Sequence, residues 1–381
     1  MNPPVFNNLY NEKTVLVTGH TGFKGSWISI WLEKLGAKVI GFSLEEYPTN
    51  PSNFELCHLS DRLVDIRGDI REYEKVSQVI KKYQPEIVFH LAAQPILLHS
   101  YETPKWTFET NTMGTLNILE AVHQSDSVSA LVCITTDKVY KNQEWARGYA
   151  EDDRLGGDDP YSASKAAAEL LIHSYRASFF AGGKYHNKRV AAASARAGNV
   201  IGGGDFAEYR LVPDCCKALM NGERIDVRNP HSTRPWQHVL ESLSGYLLLG
   251  EKLYSEPDGR YAKSWNFGPL EKHGIPVETV VKSIIEIWGS GEYQDLRTEN
   301  TKKLESNLLM LDLSLAEQTL NWRPTYNFRD SISEIVTWFK EYQSQCKNDD
   351  KHINMYDVCS SQIETYIRAA QIQGQEWVSS D

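Results

Sequence analysis

The residues that most restrict the fold are those between Lys13 and Leu35. Lys13 to Thr18 (KTVLVT) reads as a short strand, Gly19-His20-Thr21-Gly22-Phe23-Lys24-Gly25 follows, and an amphipathic helix runs on through Leu35. A strand that feeds a glycine-rich turn opening a helix makes a cradle for a pyrophosphate. Glycines let the backbone come close, and the helix N-terminus directs unpaired N–H groups and a positive dipole end at the anion. This order of elements predicts dinucleotide binding by Gly19, Gly22, Phe23, Lys24 and Gly25.

The alternation continues along the chain. Lys38 to Ser43 (KVIGFS) reads as a strand, Gly68-Asp69-Ile70 leads into a helix to Tyr83, and Glu86 to Leu91 reads as a strand ending in Ala92-Ala93-Gln94. A long helix through Thr110 and Asn111 to Gln124 follows, then a strand from Val128 to Thr135, a helix from Pro160 to Phe180 and a strand from Arg189 to Ala195. Strands separated by helices predict an α/β fold, a doubly wound parallel sheet of the Rossmann kind with helices on both faces. Such folds often place an acid after the second strand to hold the adenosine ribose. Here that place is taken by Ser43, with Glu45 and Glu46 beyond it and no arginine nearby to receive a 2′-phosphate. Asp69 is placed either to accept from an adenine amine or to cap the next helix. Small Ala92 and Ala93 leave room for a cofactor against the backbone. The polar residues from Thr110 to Thr115 face either the sheet or solvent.

A chain of 381 residues can hold one large or two ordinary domains. Its formal charge of −10 disfavours nucleic acid and anionic membranes as partners, so an anionic ligand needs a local cluster of Lys and Arg. No apolar run approaches the roughly 18 residues of a spanning helix, and Met1 to Lys13 lacks the apolar core of a signal peptide. A cytoplasmic location is expected. The six cysteines (57, 133, 215, 216, 346 and 359) show no CxxC or Cys/His spacing, which predicts free thiols and no metal.

The densest chemistry lies between Thr135 and Lys165. Thr135-Thr136-Asp137-Lys138 closes an apolar strand, and Tyr161-Ser162-Ala163-Ser164-Lys165 follows Pro160 at the start of a helix. Tyr161 and Lys165, four apart, share a helix face. A nearby ammonium favours phenolate, so Tyr161 is a candidate general base near neutrality.

In sequence order, TGHTGFKG, HLAA, TTDK and YSASK resemble the landmarks of the extended short-chain dehydrogenase/reductase family. TTDKVYKNQEW, SARAGNVIGGGDFAEYRLVPD and RPWQHVLESLSGYLLL narrow the resemblance to its nucleotide-sugar 4,6-dehydratases, and it covers nearly the whole chain. The resemblance implies NAD as cofactor, CDP-glucose as substrate and a homodimer joined through the Asn111 and Tyr161 helices. It implies catalysis by Thr136, Asp137, Lys138, Tyr161 and Lys165. Cofactor contacts would come from the glycine turn, Ser43, Asp69, Ile70, Leu91, Ala92, Ala93, Thr110, Tyr161 and Lys165. Substrate contacts would come from Gln94, Asn199, Arg210, Leu211, Val212 and Arg234. Related dTDP-glucose enzymes carry Asp-Glu where this chain has Asp137-Lys138. A lysine acts as a base only when neutral, which calls for burial or neighbouring positive charge. Asp137 acts as an acid only when protonated, which a closed pocket favours.

Gly202-Gly203-Gly204-Asp205 ends the regular alternation. The expected division is a cofactor domain over 1–200, rejoined by 235–268, a sugar-nucleotide lobe over 201–234 and 269–345, and a tail over 346–381. The tail is expected to carry one helix from Met355 to Gln371, with Gln373 to Asp381 loose. Trp236 and His238 are either structural or part of the nucleotide pocket. Three rival readings stay open: the same chemistry on dTDP-glucose or another sugar nucleotide, a 4-epimerase, and a non-catalytic NAD-binding regulator.

Overall fold

A computed structural model describes residues 4–181, 183–185, 190–271, 273–297, 309–348 and 353–378. Arg189, expected to start a strand, and positions 379–381 of the tail lie outside them. Strands β1 (Thr14–Thr18), β2 (Lys38–Ser43), β3 (Val64–Arg67), β4 (Ile87–His90), β5 (Ala130–Ile134), β6 (Ala191–Ala197) and β7 (Ser264–Phe267) form one sheet in the order β7-β6-β5-β4-β1-β2-β3. Every pairing in it is parallel. The helices that matter below are α1 (Phe23–Lys34), α2 (Tyr73–Tyr83), α3 (Gly114–His123), α4 (Pro160–Ser178), α5 (Leu211–Asn221), α6 (Val239–Ser255), α7 (Val277–Trp288), α8 (Phe328–Cys346) and α9 (Tyr356–Ile372).

Side chains alternate across a strand, so a sheet covered on both faces needs apolar residues at every position. In β5, Ala130, Val132 and Ile134 join the core under α1 and α6, while Leu131 and Cys133 join the core under α2, α3 and α4. Strand order reverses between β1 and β4, and the crevice at their carboxyl ends is where such sheets bind ligands.

Two sequence expectations change here, and one strand appears that the sequence reading did not include. β3 is not foreseeable from an apolar run, because Val-Asp-Ile-Arg is a four-residue edge strand and none of its residues is fully buried. α1 is not amphipathic: Ser26, Trp27, Ile28, Ser29, Ile30, Trp31 and Leu32 are all buried, since the helix is clamped between the sheet, α6 and α9. Its two serines satisfy their hydroxyls locally, on the carbonyls of Phe23 at 2.8 Å and Gly25 at 2.7 Å. The segment after α9 is not loose either. Trp377 stacks on Phe6 at 5.0 Å, its carbonyl accepts from the Phe6 N–H at 2.8 Å, and Val378 bridges Val5. Aromatic burial holds the two ends of the chain together.

Beyond Ala197 the chain leaves the sheet. Val200–Ile201 pairs with Gln237–His238, Ile225–Val227 with Tyr293–Asp295, and Thr233–Arg234 with Ile275–Pro276. α5, α7 and α8 pack on one another around these short ladders, whereas α6 packs back on β5 and β6.

Candidate active site

The turn after β1 is held tight by close packing. Gly19 has φ +74°, and a Cβ on Gly25 would stand 2.0 Å from the Gly19 carbonyl oxygen, so both positions require glycine. Gly22 caps α1 with no side-chain hydrogen bond. The N–H groups of the first turn of α1 are thereby left for an anion.

Ser43, at the end of β2, lies beneath this turn. Its hydroxyl is 2.9 Å from His20 Nδ1 and accepts from the Thr21 N–H at 3.3 Å, and His20 Nε2 is 2.9 Å from Asp65. An arginine does stand beside Ser43, contrary to the sequence reading: Arg67 is its register partner on β3. Arg67 donates to Asp65 and to the carbonyls of Leu44 and Glu45, so its guanidinium is already engaged. Sheet pairing brought it there across more than twenty positions, which a reading by sequence proximity overlooks. Asp69 is bound by the Arg71 guanidinium at 2.8 and 2.5 Å, and the N-cap of α2 is Glu72, so Asp69 does not cap that helix. Ile70 is buried, while Leu91, Ala92 and Ala93 keep partial exposure after β4.

The polar stretch before α3 faces α4 and the loop after β4, not solvent. Glu109–Met113 forms a π turn, which widens the helix there. Asn111 donates to the Gln94 carbonyl at 3.1 Å and to Ser164 Oγ at 2.9 Å, and accepts from the Gln94 N–H at 2.8 Å. The Gln94 side chain, expected at the substrate, donates to Thr107 and accepts from the Ile96 N–H, so both ends of its amide serve the loop. Thr110 Oγ1 is buried with no protein partner.

On the far side of the crevice, Thr136, Asp137, Tyr161 and Lys165 converge. Asp137 is 1% exposed; its Oδ1 accepts from Thr136 Oγ1 at 2.9 Å, and its Oδ2 has no partner. Gly198 makes room for it, since a Cβ there would sit 2.0 Å from Oδ2. Gly198→Ala is therefore expected to displace the carboxylate and cost about 1–3 kcal/mol of stability through overpacking. Chemical denaturation would read that loss.

Burial pushes Tyr161 up to about 12; the Thr136 hydroxyl and Arg210 pull it down, and Asp137 opposes them. The expected depression by Lys165 is not seen, because that ammonium donates to the Ile134 carbonyl at 3.2 Å. Lys165 is itself pushed down to about 8 by burial. Lys138 departs from expectation as well. The 3-10 turn Asp137–Val139 leaves its side chain 36% exposed, with Nζ 3.8 Å from Asp137 Oδ1.

Lys24 reaches deep into the same cleft. Desolvation pushes it down to about 7, and the charges of Arg210 and Lys165 act in the same direction. Its Nζ lies 3.4 Å from the hydroxyl of Tyr246 on α6, a residue that sequence reading did not single out and that no local motif marks. Lys24, Lys165 and Arg210 thus lie close enough to influence one another, a local gathering of basic groups in an otherwise acidic chain.

Arg210 also meets Asp205 at 3.5 Å, and Leu211 and Val212 open α5, with Val212 in the core and its side chain closed to ligands. Asn199 takes φ +48° between β6 and the 200–201 ladder. Arg234 sits on a short ladder and donates to the Thr233 carbonyl at 2.7 Å. Trp236 Nε1 donates to the Ile275 carbonyl, and His238 caps α6 through Nδ1, so both hold the fold together.

The chain matches the family model described as GDP-mannose 4,6 dehydratase over residues 16–335. It is 46% identical over 335 residues to a CDP-glucose 4,6-dehydratase of Salmonella typhimurium, an alignment covering 88% of this chain and 92% of the relative. It is 30% identical to a CDP-paratose 2-epimerase of Salmonella typhi, covering 85% and 98%. Its fold is similar to that of the dTDP-glucose 4,6-dehydratase of Bacillus anthracis solved in complex with NAD, with TM-score 0.72, 22% identity, and coverage of 87% and 98%.

Proposed function

We infer the reaction from one premise: this chain belongs to the GDP-mannose 4,6-dehydratase family. The reading is an NAD-dependent CDP-glucose 4,6-dehydratase, a lyase that converts CDP-D-glucose to CDP-4-dehydro-6-deoxy-D-glucose and water for deoxysugar biosynthesis. The observation that carries it is the gathering of a phenol, a hydroxyl, a buried carboxylate and an amine at one end of the sheet, in a chain 46% identical to an enzyme of that name.

The glycine turn, Ser43 and the backbone at Ala92 and Ala93 fit a dinucleotide. NAD, when bound, supplies a hydride acceptor for C4 that later returns the hydride to C6. The chain's own residues move the protons. Tyr161, as the phenolate and with Thr136 beside it, takes the proton of the 4-hydroxyl. The resulting ketone makes the C5 hydrogen acidic; Lys138, as the neutral amine, removes it, Asp137, as the protonated acid, protonates the departing 6-hydroxyl, which leaves as water, and the Lys138 ammonium, after exchange with solvent, returns a proton to C5 when C6 is reduced. Lys24, Arg210 and Arg234 are assigned to the diphosphate side. Residues 1–200 with 235–268 act as the cofactor domain, and 201–234 with 269–345 as the lobe over the sugar nucleotide.

CDP-glucose carrying deuterium at C4 tests the reading. Recovery of the label at C6, with solvent hydrogen at C5, is the expected result. Label recovered at C4 would indicate epimerisation, and turnover only with dTDP-, UDP- or GDP-glucose would reassign the substrate.

Among the described residues no helix is long and apolar enough to cross a membrane, and we place the enzyme in the cytoplasm. Leu98, Tyr101, Phe108, Met113 and Leu170 are exposed on packed neighbouring helices along the Asn111 and Tyr161 segments. Covering such a patch by a second copy accounts for it, so a homodimer is expected. Leu170→Glu should shift the sedimentation of the protein toward monomer, and an unchanged dimer would place the interface elsewhere.

A further inference from the structure

One turn of α4 beyond Lys165 and two beyond Tyr161, on the same face, stands Glu169, a residue the reaction above does not use. Its side chain is 2% exposed. It accepts from Thr135 Oγ1 at 2.5 Å, Arg196 Nη2 at 2.8 Å, Ser194 Oγ at 2.8 Å and Ser264 Oγ at 3.2 Å. Arg196, on β6, relays the contact: its Nη1 donates to the Tyr140 hydroxyl at 2.7 Å and the Glu151 carbonyl at 2.9 Å, and Tyr140 donates to Asn266 at 2.7 Å. Thr135 and Tyr140 bracket the Thr136-Asp137-Lys138 turn. Both ends of that turn are therefore anchored to one carboxylate on the helix that carries Tyr161 and Lys165. Buried charge-assisted networks are stiff because each bond restricts the next, and here, among the residues just named, Arg196 Nε is the one buried side-chain atom left without a partner.

We propose that Glu169 is a positioning residue for the elimination half of the reaction, setting Asp137 and Lys138 relative to Tyr161 through Thr135 on one side and through Arg196 and Tyr140 on the other. The proposal rests on the reading above and assigns the network its main role in one step. C4 oxidation uses Tyr161, which shares a rigid helix with Glu169, and the Thr136 hydroxyl, which meets the phenol directly. Elimination needs Tyr161's substrate pose and the 136–138 turn to agree, and the network joins them, together with the Thr136 hydroxyl beside Tyr161 and the Lys165 bond to the Ile134 carbonyl. A loosened link therefore slows removal of the C5 proton more than it slows oxidation, which keeps the direct Thr136–Tyr161 contact.

The test uses the NAD-loaded enzyme and CDP-glucose deuterated at C4, with two readouts: the single-turnover rise of reduced nicotinamide absorbance and the entry of solvent hydrogen at C5. Tyr140→Phe keeps the ring, which stacks on Tyr149, and removes only the hydroxyl. In this variant oxidation is expected to stay close to the wild-type rate, because the Thr136–Tyr161 contact is kept, with C5 exchange slowed about 10- to 100-fold, the scale of a sub-ångström to ångström misplacement. Thr135→Val should act in the same direction, and Glu169→Gln more strongly, with Glu169→Asp restoring part of the exchange. Glu169→Gln strands Arg196 and can fail to fold, in which case Tyr140→Phe and Thr135→Val decide. A proportional fall of both steps in these two variants, or no change in either, would overturn the proposal. Wild-type turnover on CDP-glucose is the separate check of the substrate reading, and the same ratio of steps decides the role of Glu169 with whichever hexose nucleotide the wild type oxidises.

Discussion

Lys138→Ala is expected to run the first half of the reaction and stop at the second. Oxidation at C4 needs the Tyr161 phenol and the Thr136 hydroxyl, neither of which the substitution touches. In the proposed mechanism the C5 proton goes to the Lys138 amine in the Asp137–Val139 turn. Loss of a general base costs on the order of 10²–10⁴ in rate, so solvent hydrogen entering C5 should fall by that factor while reduced nicotinamide accumulates. Asp137, which faces Lys138 at 3.8 Å, remains in place to protonate the leaving oxygen, so the block is at carbon and not at oxygen. Wild-type exchange at C5 in this variant would remove Lys138 from the mechanism.

Tyr161→Phe should abolish the reaction one step earlier. In the proposed mechanism the phenol takes the 4-hydroxyl proton, and its loss is worth roughly 10²–10⁴ in the oxidation step. Everything downstream falls with it, because the C5 hydrogen is acidic only next to a ketone. The two variants thus differ in kind: Lys138→Ala gives a reduced-nicotinamide signal without product, and Tyr161→Phe gives neither. Rapid-mixing absorbance measurements separate them. Oxidation at the wild-type rate in Tyr161→Phe would show that another group takes the proton, with Lys24, held down to about 7 in the same cleft, the next to examine.

Much of this molecule was legible because its signals are local. The glycine turn could be read since a strand, a tight turn and a helix follow in fewer than twenty-five residues, and the backbone at Gly19 and Gly25 admits no other residue. The parallel sheet was legible because strands buried on both faces need continuous apolar runs, and β5 is such a run. β3, lacking one, was not. Tyr161 and Lys165 share a face by helical arithmetic alone.

Contacts made by residues far apart in the chain were not legible. Arg67 reaches Ser43 through the β2–β3 register, Tyr246 meets Lys24 from a helix over two hundred positions away, and Trp377 closes on Phe6 from the other end of the chain. The protonation of the site belongs with them. Tyr161 is held high by burial, and the Lys165 ammonium is turned to a backbone carbonyl, although their four-residue spacing suggested a direct pair. Spacing along a helix determines which side chains can meet. Desolvation and the choice among competing partners depend on everything packed around them, and that is set only when the chain closes on itself.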